Sequence, residues 1–117
     1  MEDARFAPEK VEQAALANAA GYVNLVDCRA AASRYLRSIA AEFPAAAGKH
    51  LVKAAQVYEQ VVGALEEGRR SILFPWRTSA TKWSKKQRQA EAEMLTQALA
   101  LEKKAIAEIE KGLAAMQ

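Results

Sequence analysis

The sequence predicts an all-α fold, an antiparallel three-helix bundle, and three observations carry that prediction. Two long segments place apolar residues at alternating four- and three-residue steps, the spacing that lines one face of a helix. Gly and Pro number only five and three in 117 residues, too few for the turns of a many-stranded sandwich or barrel. Half of the chain is hydrophobic, much of it alanine, which favours helix and close helix approach. The length suits one domain over residues 1–117 with a single core.

Residues 1–7 read as a lead-in. Pro8 and Glu9 open the first helix, proline at the first helical position and an acid in the first turn. The helical pattern then runs over 8–43. Val11, Ala15, Asn18, Tyr22, Leu25, Arg29, Ala32, Leu36, Ile39 and Phe43 share one seam, and Leu16, Ala19, Val23, Val26 and Ala30 widen it. Gly21 weakens this helix without necessarily breaking it. Pro44 ends it, because proline disfavours helical geometry in the residue before it.

A second helix is expected over 45–67, with Leu51, Ala55, Tyr58, Val62 and Leu65 on its seam and Gly68 as its stop. The turn at Pro44 is short enough to impose an antiparallel pair. A third helix covers 84–116. Ser84-Lys85-Lys86-Gln87 has the form of a capping box. Leu95, Leu99, Glu102, Ile106, Ile109, Leu113 and Met116 repeat the four-three spacing. The middle helix is shorter than its neighbours. The apolar, aromatic stretch over 68–83 is therefore expected to pack as a loop over the uncovered end, through Ile72, Leu73, Phe74, Trp76 and Trp83.

Several function classes lose support at this stage. His50 is the only histidine, and the paired Glu and Glu-x-x-His positions of a di-iron bundle are missing, so neither a metal site nor a cofactor is expected. His50 is read as a surface residue, and Cys28, the only cysteine, as a buried, inert thiol. No catalytic residue is assigned, and the chain is read as non-enzymatic. No apolar run approaches the length of a membrane span. The acidic, apolar-poor start suggests no secretion signal, and a cytoplasmic location is expected.

Three polar residues interrupt the seams: Asn18, Arg29 and Glu102. If the outer helices run parallel and end together, Phe43 is level with Met116. Arg29 and Glu102, each 14 residues before those ends, then face each other in mid-bundle. Such a pair can fix register. Alternatively Arg29, Glu102, Asn18 and the hydroxyls of Tyr22, Tyr35 and Tyr58 form a polar pocket for a small ligand. A second candidate site is basic: Arg69, Arg70, Arg77, Lys82, Lys85, Lys86 and Arg88 fall in an acid-free stretch around Trp76. That mixture suits single-stranded nucleic acid or an anionic membrane surface. The leading reading is a module that binds a protein partner or a second copy of itself.

The run Arg34-Tyr35-Leu36-Arg37-Ser38-Ile39-Ala40-Ala41-Glu42-Phe43-Pro44, with Ala54-Ala55-Gln56-Val57-Tyr58-Glu59, Phe74-Pro75-Trp76, Trp83 and Leu101-Glu102-Lys103-Lys104-Ala105-Ile106, resembles a helical region of uncharacterised bacterial proteins. In those proteins it follows a domain similar to papain-fold cysteine peptidases or acyltransferases. The resemblance covers about residues 20–115. It implies an accessory helical domain or a stand-alone relative, with no catalytic residue to carry over.

Overall fold

The computed structural model describes residues 10–68 and 84–117. They form three helices: α1 (Val11–Ala40), α2 (Ala45–Gly68) and α3 (Lys85–Ala115). The described residues contain no strand. Helix α2 packs along both α1 and α3, while α1 and α3 have no comparably close backbone approach. The result is an antiparallel three-helix bundle in which α1 and α3 run parallel and α2, the shortest at 24 residues, runs against both. No described helix is long and apolar enough to cross a membrane.

Helix ends follow local chemistry. Ser84 caps α3 as expected: its hydroxyl accepts from the Gln87 amide at 3.1 Å, and the Gln87 side chain accepts from the Ser84 amide at 2.8 Å. Helix α1 stops at Ala40, earlier than Phe43. Ahead of Pro44 the chain tightens into three-residue turns, Glu42 N–H to Ile39 O at 2.9 Å and Phe43 N–H to Ala40 O at 3.4 Å. Gly21 leaves α1 unbroken. Gly68 is not a stop beyond α2 but its buried last residue, and no described glycine has positive φ. It is small for a packing reason: a Cβ there would collide with Met94 Sδ and crowd the Tyr22 hydroxyl. The expected loop over 69–83, with its aromatic plug, lies outside the described residues.

The core has two parts. Leu36, Ala40, Leu51, Ala54, Ala55, Tyr58 and Ala105 form one; Tyr22, Val26, Val61, Leu65 and Ala98 form the other. The expected third-helix seam is met in part: Leu95, Glu102 and Ile109 are half-buried, Leu95 and Ile109 against the core, but the most buried line lies to one side of it. The residues α3 buries are Glu91, Ala98, Ala105 and Gly112, at strict seven-residue steps. At about 100° per residue this line lies roughly 60° from the centre of the expected Leu95–Met116 seam. Small side chains let α3 settle close against α2, where Ala47 O and Leu51 stand 3.4 Å from the position a Gly112 Cβ would take. Leu99, Ile106 and Leu113 are turned outward in consequence, at 51%, 45% and 54% exposure. On α1 the second stripe is corrected likewise: Ala19 and Val26 are buried, but Leu16 and Val23 are exposed, and Ser33 takes an inward position. Ser33 donates to Glu59 Oε1 at 3.1 Å. Arg37 grips the same carboxylate with two bonds, 2.6 and 3.0 Å, which ties α1 to α2.

Candidate functional site

The face between α1 and α3 carries the polar residues singled out in the sequence. Because the two helices are parallel, residues 73 apart stand at one level, and two cross-links use that offset. Asn18 Nδ2 donates to Glu91 Oε2 at 2.9 Å. Eleven residues further along, three helical turns, Arg29 donates to Glu102 Oε1 from Nε at 3.1 Å and Nη2 at 2.8 Å. Between them Tyr22 donates its hydroxyl to Leu65 O on α2 at 2.7 Å and contacts Met94 Sδ on α3 at 3.3 Å. One side chain thereby links all three helices.

These contacts decide the fate of the expected pocket. Arg29 and Glu102 meet, and each satisfies the other; they remain partly open to solvent, at 31% and 21%. Asn18 is engaged by Glu91, a buried carboxylate that is not among the candidates drawn from the sequence. The available signal was its place at the head of the Ala98–Ala105–Gly112 series. Burial pushes Tyr22 well above the usual tyrosine pKa, and the charges of Glu91 and Glu66 add to the effect. Tyr58 lies in the core and is also raised, first by burial, then by Glu102, with Arg29 opposing. Tyr35 is corrected: it is 64% exposed and shares no enclosed site with the others. Asn18, Tyr22, Arg29 and Glu102 serve as cross-links between the helices.

Two single residues are corrected as well. Cys28 is exposed, its thiol 3.8 Å from Asn24 Oδ1 one turn earlier, because it sits about 100° round the helix from Arg29. His50 is not a free surface residue: its Nδ1 lies 2.9 Å from Glu108 Oε2, and Lys111 holds the other carboxylate oxygen at 3.0 Å. The His50 contact, followed by Lys111, keeps the Glu108 carboxyl below the usual carboxylate range. Of the basic candidates, Lys85 and Lys86 are exposed at the start of α3 and Arg88 is half-buried; Arg69, Arg70, Arg77, Lys82 and Trp76 lie outside the described residues. Among the described residues no group of three or more His, Cys, Asp or Glu side chains is placed to hold a metal ion.

Beside the polar cross-links runs an apolar surface that sequence reasoning assigned to the core. Glu91 and Glu102 mark the side of α3 that meets α1. Leu99, Ile106 and Leu113 follow next around the helix, on the same side but beyond the contact. On α1, Asn18 marks the corresponding flank, and Leu25, Ala32 and Ile39 continue it at seven-residue steps, all half-buried. Two apolar rows, one exposed on α3 and one half-buried on α1, thus flank the α1/α3 face that the Arg29–Glu102 pair crosses.

Compared with known protein families, curated proteins and solved structures, the chain matches none of them.

Proposed function

We propose that this chain is a helical interaction module, an accessory domain rather than a catalyst, that binds other helices along the α1/α3 face. The observation that carries this reading is the row Leu99, Ile106 and Leu113, each about half exposed on one flank of one helix. Single exposed leucines are ordinary, but a continuous apolar row along the face of two parallel helices is the form that receives an amphipathic helix. Full burial of such a side chain contributes about 1.5–3 kcal/mol, so covering the exposed half of each of the three contributes about 1 kcal/mol apiece. The polar cross-links hold α1 and α3 in register, which leaves the row available for an external partner.

The triple variant Leu99→Gln, Ile106→Gln, Leu113→Gln tests this reading. A row that serves binding is dispensable for folding. Circular dichroism of dilute protein should show full helicity, with unfolding free energy changed by no more than about 1 kcal/mol in total. A triple variant that is unfolded, or several kcal/mol less stable at the same dilution, would place the row in the fold's own core and end the proposal.

A further inference from the structure

The partner that this face fits is a second copy of the chain. We infer that two copies pair antiparallel across their α1/α3 faces, so that α1 and α3 of each join in a four-helix layer, with the two α2 helices outside. This inference rests on the reading above and names the occupant.

Geometry comes first. In a four-helix bundle each helix needs two neighbours and an apolar line pointing at the centre between them. Helix α3 has α1 as one neighbour, and Leu99, Ile106 and Leu113 point past it. Helix α1 presents Leu25, Ala32 and Ile39 in the matching direction. Leu99, Ile106 and Leu113 are exposed, while Leu25, Ala32 and Ile39 are half covered by the chain's own core; their open sides together supply half of such a core. A two-fold axis supplies the other half from the same six residues.

Charge specifies the direction. Lys103 and Glu110 are exposed, one heptad apart, on the flank of α3 next to the apolar row. Neither has an oppositely charged residue three or four positions away on its own helix, where Leu99, Ala100, Ile106 and Ala107 flank the one and Ile106, Ala107, Leu113 and Ala114 the other. By contrast Lys111 pairs with Glu108 within the helix. A two-fold between positions 106 and 107 sets Lys103 of one copy opposite Glu110 of the other, and does so twice. The same axis centres the apolar row on Ile106. A parallel pairing would set like against like at both positions.

The experiment is sedimentation equilibrium on the full chain from micromolar to about 0.1 mM, with circular dichroism of every variant. The expected mass is twice the 12.8 kDa chain. Ile106→Glu should give a helical monomer. Lys103→Glu and Glu110→Lys should each weaken the dimer about tenfold or more, and the charge-swapped double variant should restore it. These two exposed positions report on pairing even if Ile106→Glu perturbs the fold. A monomeric parent across the range overturns the inference, while a folded Gln triple variant beside it leaves the broader reading intact. A dimer indifferent to Ile106→Glu, or single reversals without rescue by the double, overturns the antiparallel pairing.

Discussion

Arg29 on α1 and Glu102 on α3 stand 73 positions apart in the chain and at one level of the bundle, with Nε and Nη2 both directed at Oε1. The pair joins the two helices that α2 does not hold directly together. It is partly solvated, so its strength lies between that of a buried ion pair and an exposed one. Arg29→Ala should cost about 1–3 kcal/mol, read from urea unfolding. Arg37→Ala removes a well-aligned but exposed pair with Glu59 and should cost about 1 kcal/mol or less. A double-mutant cycle with Glu102→Gln should return most of the Arg29 effect as coupling. A coupling near zero would show that Arg29 acts through packing alone.

The glycines separate propensity from packing. Around Gly21 there is open space, so Gly21→Ala should stabilise the fold by about 0.5–1 kcal/mol through helix propensity. Gly68→Ala, at the last residue of α2, has less propensity to gain and drives a methyl into the end of the Met94 side chain beside the Tyr22 hydroxyl, and it should destabilise by about 1 kcal/mol. Thermal melts of the two variants should shift in opposite directions; shifts of the same sign would contradict the packing at Gly68.

Tyr22 connects the core to alkaline pH. Its folded pKa is raised, so the folded state favours the protonated hydroxyl. That contribution is complete below the ordinary tyrosine value of 10.0 and is lost as pH rises above it, because the unfolded chain then releases the proton first. Stability should therefore decline above about pH 10, more steeply in the parent than in Tyr22→Phe. At neutral pH Tyr22→Phe should cost about 1–2 kcal/mol, since Leu65 O loses its donor. Parallel alkaline profiles for the two proteins would remove Tyr22 as the cause.

Glu108 gives the acid limb. Its depressed pKa means that its share of stability is present above the usual carboxylate range and is lost as pH falls through the lowered value. His50→Ala should move the Glu108 carboxyl titration, followed by NMR, upward toward the ordinary range and reduce the loss of stability in acid. An unchanged Glu108 midpoint would refute the contact.

Much of this molecule was legible in the sequence. The four-three spacing, Pro44 and the Ser84–Gln87 box specify three helices and their order, because helix starts and stops depend on nearby residues. Even the Arg29–Glu102 contact followed from counting back from two helix ends, since parallel helices of equal rise keep one offset along their length. Which face of α3 turns inward was a different matter. Its large residues mark one line, Leu95 to Met116, and its small ones another, Glu91 to Gly112, and periodicity alone favours the larger. The tertiary structure centred the contact on the smaller, because alanine and glycine allow close approach to α2, and kept Leu95 and Ile109 at its edge. That choice buried Glu91 against Asn18, drew His50 to Glu108, and left Leu99, Ile106 and Leu113 outside. The sequence alone thus determined the helices and their register. Only packing between helices, a competition among faces that each helix offers equally well by itself, decided what the bundle keeps inside and what it presents.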